Sequence, residues 1–377
     1  MRIVFISAMI TAPWGGSEAL WSQAAIRLAQ QGHEVSASVA FWSPLSPQVT
    51  ALAGQGIDLF VREQAPLPRL HQRLWTRLAL RLGAQQKIAQ HEWIKQKKPD
   101  LVVISQGQNR DGYEWMEYCR EQNLPFAAVV QCNTEGMWPD DGIVARLLPA
   151  YRAARRIFCV SRHNLALLEN QLGEALPNGH VVKNPTNLPK NITCPWPDDD
   201  GIWKIACVAR MEPASKGQDI LLQTLALPQW RERPLQVNFY GAGNHQAGLE
   251  KMVARLGLRQ VHFRGHLGDI QAIWQQNHLL ALPSRGEGLP MALVEAMLCG
   301  RAALITDVGG NAEVCRDGET GFIVPAPALS LWAEGMERAW ERRSEWKAMG
   351  EAACRHMNAL LTVDPVEDFA QQLLALK

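Results

Sequence analysis

Residues 282–325 read LPSRGEGLPMALVEAMLCGRAALITDVGGNAEVCRDGETGFIVP. The apolar run Leu279–Leu282 enters this stretch as a strand and opens into a glycine-rich loop that carries Glu287. Pro290 is placed to be an early helix residue, where its missing N–H costs nothing. Met291–Leu298 follows as a helix, with Gly300 just past its end. Glu295 then lies about one and a half turns in. One carboxylate sits at a loop mouth and the other on the helix flank behind it. Backbone N–H groups from Gly288 onward point at the same space, ready for phosphate oxygens. Ala303–Thr306 is the next strand, Asp307–Gly310 a second Gly-Gly turn and Phe322–Val324 another strand.

Outward from this stretch the alternation continues. Toward the amino terminus, Lys204–Ala209, Leu235–Tyr240 and Val261–Phe263 are strands, and 217–227 is a helix. Earlier still, Arg2–Ala8, Val35–Phe41, Leu101–Ser105, Phe126–Gln131 and Ile157–Ser161 are strands, with a helix over Ser17–Gln31. Strands this apolar, separated by helical patterns, form parallel sheets covered on both faces. Between them, Lys183–Ile202 holds Pro185, Pro189, Pro195 and Pro197, which excludes a helix or a central strand and marks a linker. Asp198–Asp200 is read as a solvated run of that linker rather than a metal site. Two α/β domains follow, residues 1–184 and 203–355, joined by 185–202. Residues 356–377 are a terminal helix expected to pack back on the first domain.

The chain of 377 residues is long enough for two cores. It has no run of 18 apolar residues, so no spanning helix is expected, and no signal-peptide pattern opens it. The eight cysteines form no Cys-x-x-Cys pair and read as buried free thiols in a reducing cytosol. Residues 1–190 hold 20 Lys+Arg against 15 Asp+Glu, and residues 191–377 hold 18 against 22. The first half therefore suits an anionic acceptor or membrane surface. Within it, residues 67–98 carry Arg69, Arg73, Arg77 and Arg81 at a spacing of four, with leucines alongside. Such a stripe is either an outer helix with its arginines in water or one lying on an anionic membrane. Of the fourteen tryptophans, most are expected to pack in the cores. Trp14 and Trp138 fall in candidate loops, with core packing expected for Trp138.

Three further loops follow predicted strands, the place where open parallel sheets bind ligands. Pro13–Glu18 contains Gly15 and Gly16, which let backbone N–H groups approach an anion. Arg210–Gly217 places Arg210 and Lys216 where they can clamp a diphosphate. Gly241–Asn244 permits close approach of a ligand or another backbone.

These motifs together resemble the retaining GT-B glycosyltransferases of family four. The Glu-x7-Glu spacing of Glu287 and Glu295, the form EGLPMALVEAM and the turn Asp307–Gly310 carry the likeness. VARMEPASKGQDILL, Val181–Pro185, Gly265–Leu267 and Pro13–Glu18 support it in order along the chain. The resemblance implies two Rossmann-like domains facing each other across a cleft. It implies transfer of a hexose from a nucleotide diphosphate sugar to a glycan, lipid-linked or small-molecule acceptor, without a metal or other cofactor. Arg210 and Lys216 would hold the diphosphate, and Glu287 would orient the sugar beside Gly288, Leu289 and Pro290. Glu295 would bind the ribose. Gly241, Gly265, His266 and Leu267 would line the nucleotide, and Gly15 and Gly16 would face it across the cleft. Many relatives carry a histidine at the end of a first-domain strand. Here that position reads Gln131-Cys132-Asn133, so Gln131, Asn133 and Glu135, with Trp14 and Asn109, are the acceptor-side candidates. The expected setting is cytoplasmic, peripheral at the inner membrane face, with no nucleic-acid partner. Two other readings remain open: a GT-B nucleotide-sugar epimerase, for which Asp111 and His33 are the available groups, and a non-catalytic nucleotide-sugar-binding protein.

Overall fold

A computed structural model describes residues 1–10, 12–63, 88–189 and 192–377. The stripe Arg69–Arg81 lies outside the described residues. The first sheet contains β1 (Arg2–Ser7), β2 (Glu34–Ala40), β3 (Asp58–Arg62), β4 (Leu101–Gln108), β5 (Phe126–Cys132), β6 (Arg156–Cys159) and β7 (Gly179–Val181). Its order is β3-β2-β1-β4-β5-β6-β7, with every pairing parallel. The second contains β8 (Trp203–Val208), β9 (Leu235–Tyr240), β10 (Val261–Gly265), β11 (Leu279–Leu282), β12 (Ala302–Thr306) and β13 (Gly321–Val324). Its order is β10-β9-β8-β11-β12-β13, again parallel throughout.

Each sheet reverses its strand order once, between β1 and β4 and between β8 and β11. The crevice beyond the carboxyl ends of the strands opens at that switch point. The loops after β1, β8 and β11 are Pro13–Glu18, Arg210–Gly217 and Pro283–Pro290, so the fold itself gathers the three most suggestive segments.

The sequence shows all six strands of the second sheet but not β3 or β7. Both are edge strands. β3 is half-exposed, with only Leu59–Val61 apolar between Asp58 and Arg62, while β7 is three residues long. Helix ends follow local chemistry. The Ser161 side chain caps Arg162–Leu172 by accepting from Asn164 N, and Gly173 closes it at φ 68°. Pro290 is the residue before the helix Met291–Leu298 rather than its first turn, with extended backbone at ψ 125°.

The Pro-rich segment between β7 and β8 contains no regular element among its described residues. Its aspartates serve local turns: Asp199 and Asp200 accept from Gly201 N and Ile202 N, and Asp200 pairs with Lys204. Helix Trp346–Leu360 stays with the second domain, burying Ala353 and Met357 beside Leu293 and Met297. Helix Pro365–Leu374 does not. Its Val366, Phe369, Ala370 and Leu373 join Leu20, Leu28 and Phe158 in the first domain's core. Phe369 meets Phe158 edge-on at 5.0 Å, and Arg27 pairs with both Asp364 and Glu367. The chain thus crosses between the domains twice. Among the described residues no helix is long and apolar enough to cross a membrane.

All eight cysteines are free, but Cys132, Cys194 and Cys354 are only partly buried, unlike the uniform burial read from sequence. Trp138 also departs from expectation. It is 57% exposed, because it follows the short turn Glu135–Met137 on the rim and has no sheet face to cover.

Candidate active site

The second domain's loops are stitched into one surface. Gly217 adopts φ +65°, and a Cβ there would lie 1.9 Å from the Pro283 carbonyl oxygen, so only glycine lets the β8 and β11 loops touch. Arg285 N and Gly286 N both donate to Ser215 O. The Arg285 guanidinium makes a two-pronged pair with Asp219 at 2.6 and 2.9 Å and donates to Pro213 O. None of Ser284, Arg285 or Asp219 stands out in the sequence, although the first two lie inside its strongest motif.

On this platform Lys216 Nζ lies 2.7 Å from Glu287 Oε2. The other Glu287 oxygen accepts from the Ser284 hydroxyl, also at 2.7 Å. Both partners are largely buried, with side-chain exposures of 18% and 6%. In this state Lys216 is committed to a carboxylate, and removing it would leave Glu287 buried and unpaired, a costly arrangement. Arg210 is half-exposed and pairs with Glu212 at 3.1 Å. It is the more exposed of the two cations on the loop.

Along the carboxyl ends of β8, β9 and β10 the approach is backbone to backbone. Gly241 lies so close to the Ala209 carbonyl that a Cβ would fall 2.1 Å from it, and Gly241 N donates to Gly265 O. The close approach permitted at Gly241 is therefore to another strand. Gly265, at φ +71°, opens an exposed turn with His266 and Leu267.

Glu295 faces the linker. It is 4% exposed and accepts from Asn187 Nδ2 at 3.4 Å. Burial pushes its carboxyl up to about 7, against the lowering effect of Asn187. Asn187 sits 108 residues away, and sequence spacing carries no sign of it.

The first domain closes on this surface. A Cβ on Gly288 would lie 1.9 Å from Gln131 O, one on Gly286 would strike Thr134, and one on Gly310 would strike Ser161. Leu289 packs beside Gly310, whose N–H donates to Gly288 O at 2.6 Å. Gly16 rests on Met291 across the cleft, and Gly15 on Met9 of its own domain. Glu313 of the second domain accepts from His163 N at the start of helix Arg162–Leu172.

Behind Gln131 lie amides without partners. Asn133 is 2% exposed, and neither its oxygen nor its nitrogen is hydrogen-bonded. Gln131 accepts from Asn184 but leaves its nitrogen unpaired, and Asn109 bonds Gln171 but leaves its oxygen unpaired. Buried orphan amides of this kind call for an explanation such as a ligand or water. Glu135 is exposed on the rim and pairs with His163 at 2.9 Å. Trp14 packs on Trp21 and shares a pocket with Met9, Pro13, Trp42 and the buried Glu18. His33 is remote, bonded to the amino terminus at the opposite ends of the strands. Asp111 accepts from Gln108 N in the turn closing β4. These two groups do not form a proton-abstracting pair.

Residues 203–342 match the model of the family described as glycosyl transferases group 1. Over that domain the chain is similar to this family. The chain is 32% identical over 152 residues to D-rhamnosyltransferase WbpZ of Pseudomonas aeruginosa, covering 39% of each protein. It is 33% identical over 159 residues to D-inositol 3-phosphate glycosyltransferase of Streptomyces coelicolor, covering 39% of this chain and 35% of that one. These matches span about two-fifths or less of either relative. Whole-chain similarity lies in the fold. Anabaena Alr3699/HepE in complex with UDP superposes with a TM-score of 0.75 at 18% identity, over 100% of both chains. Sucrose-phosphate synthase from Thermosynechococcus elongatus superposes with a TM-score of 0.76 at 17% identity, again over 100% of both. The architecture is GT-B.

Proposed function

We propose that this protein is a retaining glycosyltransferase that moves a hexose from a nucleoside diphosphate sugar to a hydroxyl acceptor. The observation that carries this reading is the Lys216–Glu287 pair at the second domain's switch point, with Arg210 beside it and Gly288 pressed on Gln131 across the cleft. On this reading Arg210 and Lys216 bind the donor diphosphate and stabilise it as it leaves. Glu287 passes from Lys216 to the sugar hydroxyls. Glu295 accepts the ribose hydroxyls once ionised, and Gly265, His266 and Leu267 border the base. Gly15 and Gly16 bring backbone N–H groups to the phosphates. Asn133 and Gln131 take the place of the strand-end histidine, and the orphan amide of Asn133 supports this. Holding departing and attacking groups on one face of the sugar retains its configuration, and no metal is required.

The acceptor enters through the first-domain pocket lined by Met9, Trp14 and Trp42, whose aromatic walls suit a sugar face. A glycan or lipid-linked acceptor fits this reading, with peripheral contact through residues 67–98. Fold relatives holding UDP and UDP-glucose support the donor class.

The test is a thermal-shift screen of UDP, GDP, ADP and dTDP sugars, followed by kinetics of Arg210→Ala. Losing one such donor costs about 3–4 kcal/mol of transition-state stabilisation, so turnover falls by orders of magnitude. Arg210 is half-exposed, so the fold is retained. Full activity in this variant overturns the clamp, and an inverted anomeric centre in the product overturns retention.

A further inference from the structure

The linker carries Cys194, and the helix that bears Glu295 ends at Cys299. The two residues meet at one guanidinium: Arg301 Nη1 donates to Cys299 O at 2.6 Å, Arg301 Nη2 reaches Cys194 Sγ, and both side chains pack in the same apolar cluster. Beside them Arg301 is 2% exposed, its guanidinium fixed by the carbonyls of Trp274, Asn277, Cys299 and Pro195. Its Nη2 lies 3.6 Å from Cys194 Sγ, and the same guanidinium stacks over Trp196 at 5.0 Å. A buried cation held this firmly cannot move away from the sulfur. Cys194 itself is only partly buried, so small molecules can reach it.

The other cysteines lack this combination. Burial pushes the thiols of Cys119, Cys132, Cys207 and Cys315 up to about 12, and it raises Cys159 as well. Cys354 donates to Leu298 O at 3.2 Å and is also raised by burial. Cys194 is pulled the other way, down to about 7, first by the side chain of Cys299 and further by the charge of Arg301. A partly exposed sulfur beside a cation, with a second cysteine held at the same guanidinium, is the arrangement of a redox-sensitive cysteine and its resolving partner.

We propose that Cys194 is a peroxide-reactive cysteine and Cys299 its resolving partner, the two forming a reversible disulfide between the linker and the Glu295 helix. In the first step the Cys194 sulfur attacks one oxygen of hydrogen peroxide. An S–O bond forms, the O–O bond breaks, and the hydroxide released takes a proton to become water. In the second step the Cys299 sulfur attacks the Cys194 sulfenic acid. An S–S bond forms, the S–O bond breaks, and a second water leaves with the Cys299 proton. The two sulfurs lose two electrons and the peroxide gains them. A small dithiol reverses the bridge. Cys299 N donates to Glu295 O, and Asn187 of the linker reaches the Glu295 carboxylate. The bridge therefore adds a covalent tie where the linker already touches that helix.

The test treats the full chain with hydrogen peroxide, blocks the remaining thiols with iodoacetamide after denaturation, and maps the peptides by mass. The expected product links the Cys194 and Cys299 peptides and is undone by dithiothreitol. Cys194→Ser abolishes it. Cys299→Ala leaves a sulfenic acid on Cys194 that dimedone traps. In the untreated native chain at pH ~7.5, Cys194 is expected to alkylate about tenfold faster than any other cysteine. Free Cys194 and Cys299 after peroxide, or a bridge to Cys354 instead, overturns the proposal. The readout is chemical and independent of the donor reaction, so its failure leaves the proposed transferase function standing.

Discussion

Gly288→Ala places one methyl group where the two domains meet. Its Cβ would lie 1.9 Å from the Gln131 carbonyl oxygen and 2.7 Å from a Val160 methyl. Carbon approaches a carbonyl oxygen no closer than about 3.3 Å in ordinary contacts, so roughly 1.4 Å of separation is needed. Neither side yields easily. Gln131 lies within β5, between β4 and β6 in a fully parallel sheet, and Gly288 O is held by Gly310 N at 2.6 Å. The cheapest relief is for the domains to part, which leaves each core intact. A displacement of about 1 Å at a reacting centre can cost on the order of 100-fold in rate. The expected outcome is a fall in kcat/KM of about 100-fold with nearly unchanged Tm, accompanied by a larger radius of gyration in small-angle scattering. Turnover within about threefold of the parent, with identical scattering, would refute the view that catalysis requires this closed contact.

Lys216→Met is expected to destabilise the second domain by about 3–5 kcal/mol, because Glu287 stays buried without its cation. Adding Glu287→Gln should recover most of that loss in urea unfolding, and simple additivity of the two changes would contradict the pairing. Glu295 predicts a pH effect. Its folded-state pKa of about 7 exceeds the unfolded value, so the native state holds the proton longer and stability falls as pH rises from about 4.5 to 7. Glu295→Gln should remove that fall, worth up to about 3 kcal/mol, and identical pH profiles for the two proteins would exclude it. Phe369→Ala is expected to cost about 3–5 kcal/mol by opening a cavity against Phe158, with the first domain melting earlier in calorimetry.

The parts legible in sequence are those that local chemistry dictates. β8 to β13 stand out because each is a strand-length, apolar-rich run set between helical patterns. β7 is hidden because it is three mostly exposed residues, and β3 because Asp58 and Arg62 bound a run of only three apolar residues. Glu287, Glu295, Arg210 and Lys216 are visible through motif spacing. What each one touches is not. Arg285 finds Asp219 66 residues back, and Asn187 finds Glu295 108 residues on. The first pairing is a product of the switch-point topology and the second of the linker's path between the domains, which no local pattern encodes. Trp138 misleads in another way: a large aromatic reads as core even between Glu135-Gly136 and Pro139-Asp140-Asp141, where the flanking residues already mark an exposed turn. The terminal helix is the counter-example, since Pro365 and the apolar spacing after it set it apart in the sequence alone.

That helix also orders events during synthesis. The first domain's core needs Val366, Phe369 and Leu373, so the domain translated first is the one completed last. At about 5–20 residues per second, the ribosome takes roughly 10–40 s to pass from the linker to the end of the chain. For that interval the apolar trough that Phe369 later fills, bordered by Leu20, Leu28 and Phe158, has no native cover. A nascent chain stalled before residue 365 would present it to chaperones, while the second domain behind it already has every strand of its sheet.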